Sequence, residues 1–255
     1  MFWQVINTNL YLQGSIHNAD EPLKLSKEAQ AAAELCDTFV FEGNFHKLPN
    51  LDFAFYSNNS GLSKHIPKAL FESTQELWKQ AGLTDNLDTN RPWFATLKLT
   101  QALYREKGLV DANGLDKQIF KWAEDNNKKF YFLETILSGL QALSSTPLSE
   151  QQDVLSLVVH NPEKVVSQLQ AMLVAWKDGN ANDLYKIVEE NLRLTPKMTT
   201  KLFSSRNHKW LPQLLNFAKS GEKVFVTVGA LHLSGPADVV SLLAAKGYQC
   251  KYFGT

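Results

Sequence analysis

The chain has 255 residues, 44% of them hydrophobic and 20% charged, which is ample for a packed core. Its 26 lysines and arginines are balanced by 26 acids, with no basic stretch, so nucleic acid is not an expected partner. No apolar run approaches the roughly 20 residues that span a bilayer, and Cys36 and Cys250 form no C-x-x-C metal pair and read as two buried thiols.

Phe2 to Ile6 and Leu10 to Ile16 flank the polar triplet Asn7-Thr8-Asn9 and read as a β-hairpin. A strand this early leaves no room for a leader. The compartment stays open: periplasmic or extracellular if a leader has been removed, cytoplasmic otherwise. His17 to Pro22 is a loop, and Ser26 caps an alanine-rich helix running to about Leu35. Thr38-Phe39-Val40-Phe41 is the next strand and delivers Glu42 and Gly43. This strand–helix–strand unit resembles a crossover between parallel strands, which would set His17 and Glu42 on neighbouring strands.

Ser57 to Gly61 is a polar loop, and the Phe-rich stretch Phe53 to Tyr56 reads equally as a lid or a partner surface. Pro67 opens a helix stopped by Gly82, Pro92 opens one reaching Gly108, and a third spans about Leu115 to Asn126. Phe130 to Leu133 reads as a buried strand ending in Glu134. From Ile136 to Lys219 the pattern is helical, with starts at Asn161-Pro162-Glu163 and Thr195-Pro196. Pro212 is expected to kink or split the last of these helices. Lys223 to Gly235, KVFVTVGALHLSG, is a buried strand ended by Gly229, with His232 in the turn that follows and a helix expected from Pro236 to Gly247. Tyr248 to Phe253 is a closing strand near a sheet edge.

The fold class is therefore α/β, one domain over 1–255. A central mixed sheet is built from both ends of the chain (1–45, 128–135 and 222–255), with a large helical insertion (62–127 and 136–220). Open α/β sheets carry their sites at the carboxyl ends of the strands. Four such ends carry His17, Glu42, Glu134 and His232. Both histidines close a G-x-x-H turn, Gly14-Ser15-Ile16-His17 and Gly229-Ala230-Leu231-His232. Two imidazoles with one or two carboxylates suit a divalent transition metal such as Zn, Mn, Fe or Co. His17, Glu42 and His232 are the expected ligands. Glu42, Glu134, Arg206 and Asn207 are the expected catalytic groups: a carboxylate as general base, an arginine for an oxyanion. Which glutamate is ligand and which is base stays open. Blander readings exist for each: Glu42 as a cap or ion-pair member, Glu134-Thr135 as a helix start, Arg206 as a solvated side chain. His46 reads as a surface residue, His65, His160 and His208 as solvent-facing or capping, and Trp176 and Trp210 as core.

Six segments in order carry a more specific signal: Leu12 to His17, Phe39 to Glu42, Phe132 to Thr135, Ala175 to Gly179, Ser205 to Trp210 and Val228 to Pro236. Together they resemble the TraB/GumN family, which includes the Tiki metalloproteases. The resemblance covers nearly the whole chain. It implies a metal-dependent hydrolase of peptide or protein substrates, supported by manganese or cobalt, with zinc also possible. Relatives by fold imply an alternative, a non-catalytic protein that binds haem or a peptide. A departure at Pro212 bears on how Arg206 is aimed.

Overall fold

The computed structural model describes residues 1–47, 50–57 and 60–254. Six strands form one mixed sheet: β1 (Phe2–Val5), β2 (Leu10–Ser15), β3 (Thr38–Phe41), β4 (Lys129–Phe132), β5 (Val224–Gly229) and β6 (Cys250–Tyr252), in the order β4-β3-β5-β2-β1-β6. Strands β2, β5, β3 and β4 are parallel, while β1 runs antiparallel to both β2 and β6. All four residues of β3 are buried, as are the first five of β5, as expected of apolar strands covered on both faces.

The helices are α1 (Lys27–Leu35), α2 (Lys68–Gln80), α3 (Pro92–Glu106), α4 (Leu115–Asp125), α5 (Leu137–Ser144), α6 (Leu148–His160), α7 (Pro162–Lys177), α8 (Ala181–Leu194), α9 (Pro196–Thr199), α10 (Ser205–Ser220) and α11 (Val239–Ala244). Ser26 caps α1 through the Ala29 N–H, and the two prolines Pro92 and Pro162 sit at the first turn of their helices, as their sequence signals predict. On one sheet face Phe39 packs against Phe225 of β5 and Trp122 of α4, and Phe41 against Phe120.

Four expectations need correction. β5 lies between β2 and β3, so His17 and Glu42 do not leave adjacent strands; chain order does not reveal that a strand arriving later is inserted between two earlier ones. β4 is an edge strand, alternately exposed and half-buried, with Tyr131 48% exposed, rather than a buried one. Pro212 does not split α10; the irregularity lies more than two turns before it, a π-turn over Thr200–Ser204 where the Ser205 N–H reaches back to the Thr200 carbonyl. The last helix starts at Val239 instead of Pro236, because the Asp238 side chain caps it through the Ser241 N–H. In the Phe53 to Tyr56 stretch Phe53 stacks on Trp93, Phe55 meets Phe94 while staying 38% exposed, and Tyr56 contacts His65 and Arg91. In the polar loop, Asn58 and Asn59 lie outside the described residues. Cys36 is buried, Cys250 half-buried, and both are free thiols. No helix among the described residues is long and apolar enough to cross a membrane.

Candidate active site at the carboxyl edge of the sheet

Because β2, β3, β4 and β5 are parallel, their carboxyl ends share one edge, and the residues that follow them meet there. His17 comes from the β2 turn, Glu42 from β3, Glu134 from β4 and His232 from a single 3-10 turn, Ala230–His232, after β5. The ends of β3 and β4 are locked together by bonds from the Leu133 and Glu134 N–H groups to the Phe41 and Glu42 carbonyls, both 2.9 Å.

The two turn glycines are there for space. Neither has a positive φ. A Cβ on Gly14 would stand 3.2 Å from the Ala230 Cα, so this glycine lets the two G-x-x-H turns pack on each other. A Cβ on Gly229 would stand 3.4 Å from Glu42 Oε1, 3.5 Å from His17 Nε2 and 3.6 Å from His232 Cδ2. The missing methyl thus leaves a small opening on which both imidazoles and one carboxylate converge.

Each imidazole is held by its Nδ1. The His17 Nδ1 donates to Asp116 Oδ2 at 2.9 Å, from the first turn of α4. The His232 Nδ1 donates to Asn207 Oδ1 at 2.6 Å. The Asn207 amide donates to the Ala237 carbonyl, which fixes its oxygen as the acceptor, and Ala237 holds an uncommon φ of 55° to present that carbonyl. Both rings therefore anchor Nδ1 and leave Nε2 turned away from that anchor, the arrangement that orients histidines toward a metal. The π-turn before α10 brings Phe203 with Arg206, Asn207 and Trp210 to the site; the Phe203 and Trp210 rings lie 5.3 and 4.4 Å from the His232 ring.

Arg206 is the hub. Its side chain is 11% exposed and donates to Glu42 Oε2 at 2.5 Å, to Glu134 Oε1 at 3.0 and 2.6 Å, and to His232 Nε2 at 3.1 Å. The remaining Glu134 oxygen accepts from Trp210 Nε1 at 3.2 Å, so Glu134 holds the arginine. Glu42 is the carboxylate that faces the histidines, with Oε1 3.8 Å from His232 Nε2 and accepting from the Gly229 N–H at 2.7 Å. Burial alone would raise the Glu42 carboxyl; the charges of His232, Arg206 and His17 and the Gly229 N–H outweigh it and lower its pKa to about 2. Burial lowers His232 to about 4, so it is neutral at pH 7. The Asp116 carboxylate raises His17 to about 9.

The donors suit a divalent ion in kind: the Nε2 of His232, the Nε2 of His17 once its imidazolium has released a proton, one ionised carboxylate and an opening between them. As arranged, Arg206 takes the lone pair of His232 and one oxygen of Glu42. Among the described residues no group of three or more His, Cys, Asp or Glu side chains stands ready to hold a metal ion. Binding one there requires the guanidinium to release His232.

The structure thus brings together all the residues singled out from the sequence: His17, Glu42, Glu134, Arg206, Asn207 and His232. His46 is on the surface, bonded to Glu124, and His160 and His208 are exposed, each bonded to a carbonyl one turn back. Two participants escaped the sequence reading. Asp116 looks like an ordinary acid in a first helical turn; only its position just after Gly114 hints at more. Trp210 is core, as its apolar spacing suggests, and is also a hydrogen-bond donor in the site.

A model of the TraB/PrgY/gumN family matches residues 1–252. No curated protein and no solved structure matches the chain.

Proposed function

The chain belongs to the TraB/PrgY/gumN family, and from that premise we propose that it is a metal-dependent hydrolase of peptide bonds. The observation that carries this is the opening over Gly229, on which His17 Nε2, Glu42 Oε1 and the His232 ring converge. His17, Glu42 and His232 would hold the ion, manganese or cobalt by the family resemblance or else zinc. Such an ion polarises a carbonyl and lowers the pKa of a bound water to about 7.

The chain's own groups divide the remaining work. Asp116 and Asn207 fix the two imidazoles by their Nδ1 atoms, so that Nε2 is the nitrogen each would offer a metal, His17 after losing its proton. A carboxylate whose pKa is near 2 is a poor proton acceptor at neutral pH, so Glu42 suits ligation better than general-base work. Glu134 and Trp210 anchor Arg206. A buried guanidinium beside the ligands suits stabilisation of an oxyanion.

The test is elemental analysis of protein loaded with manganese, cobalt or zinc, beside His17→Ala and His232→Ala. About one metal per chain in the parent protein, lost in both variants together with peptide cleavage, is the expected result. No metal under any loading would overturn the proposal and favour a protein that binds haem or a peptide without cutting it.

A further inference from the structure

The candidate site is the junction of two cavities. One, of about 510 Å³, extends past Phe45, Leu97 and Leu140. The other, of about 320 Å³, extends past Leu169, Met172 and Phe203. Both are bounded by Ser15, His17, Asn18, Glu42 and Arg206, so the reacting groups separate two arms whose far walls are apolar.

The charged side chains lining the arms are already paired. Asp111 pairs with Lys117, Asp116 with His17, and Glu42 and Glu134 with Arg206. Neither arm offers a free charge to a charged guest. Helix α5 borders the larger arm through Gly139 and Leu140, and none of its residues is buried, although half of them are leucine or alanine.

We infer that the cleft takes an extended peptide with a large apolar side chain on each side of the bond held at the junction. The arms seat the two side chains. That this peptide is cut rests on the hydrolase reading: water would add across the C–N bond, leaving a carboxylate and an amine. Its binding does not rest on that reading.

The test is a calorimetric titration of the intact protein with acetyl-Phe-Phe-amide, acetyl-Phe-Gly-amide and acetyl-Gly-Phe-amide. The doubly apolar peptide is expected to bind at least tenfold more tightly than either other. Leu140→Asp and Met172→Asp should each remove the gain from one position and leave the gain from the other. Equal affinities for the three peptides, or no binding up to their solubility limit, would overturn the inference. So would both variants weakening both positions alike. Mass spectrometry of the same samples separates the two claims. Tight binding without cleavage supports this inference and counts against the hydrolase, whereas cleavage that ignores one side of the bond does the reverse.

Discussion

The two G-x-x-H turns spell the same motif and build opposite environments. His17 lies open to the cleft, its side chain 59% exposed, with the Asp116 carboxylate behind it. His232 is 4% exposed by the same measure, with the neutral amide of Asn207 behind it and the rings of Phe203 and Trp210 around it. A carboxylate partner raises one imidazole to about 9, and burial lowers the other to about 4. Motif spacing therefore fixes where an imidazole goes, while residues distant in sequence fix what it is. Two titratable groups driven apart by their surroundings are a recurrent mark of acid–base sites.

The largest test of this asymmetry is Arg206→Ala, since the guanidinium bonds His232 and not His17. It leaves two carboxylates without their cation, and loss of one partner from a buried ion pair costs about 3–5 kcal/mol; chemical denaturation should show a loss on that scale. The two glycines give the next contrast. Gly14→Ala presses a methyl against backbone and is expected to cost about 1–3 kcal/mol, as overpacking does. Gly229→Ala meets only side-chain atoms at ordinary contact distance, so its melting temperature should stay close to the parent's while metal uptake is lost. Equal behaviour of the two variants would refute the division of labour between the turns.

Smaller effects follow from exchanging the Nδ1 partners. Asn207→Asp gives His232 a carboxylate like that of His17 and should raise its pKa; Asp116→Asn should lower that of His17. Both are read by NMR titration of the metal-free protein. The pH dependence of stability has two limbs with opposite signs. The folded pKa of His232 lies below its ordinary 6.5, so its contribution is whole above that value and is lost as pH falls toward about 4. The folded pKa of His17 lies above 6.5, so its contribution is whole below that value and is lost as pH rises through about 9. Asp116→Asn should flatten the alkaline limb alone, and a change in the acid limb instead would count against the assignment.

Much of this was legible in the sequence because strand ends are. Apolar runs closed by Glu42, Glu134 or a G-x-x-H turn announce which residues emerge at a sheet edge, and the polar pair Arg206-Asn207 interrupts an otherwise apolar helix face. Partners set by tertiary packing were not legible. Asp116 is 99 residues from His17 and resembles any acid favoured at a helix start. Trp210 satisfies the helical period of a core residue whether or not its indole N–H has work to do. The exposure of β4 depends on its being last in the sheet, and local composition does not encode strand order.

That strand order governs how the molecule is made. β5 pairs with β2 and β3 at once, Val224 lying opposite both Leu10 and Thr38. During synthesis the hairpin, α1 and β3 all leave the ribosome long before the strand that must separate β2 from β3. Contacts this remote in sequence form slowly, and until they form, two apolar strand edges stand unpaired and prone to aggregation. The same late step delivers His232, so the candidate site cannot assemble before β5 has taken its place in the sheet.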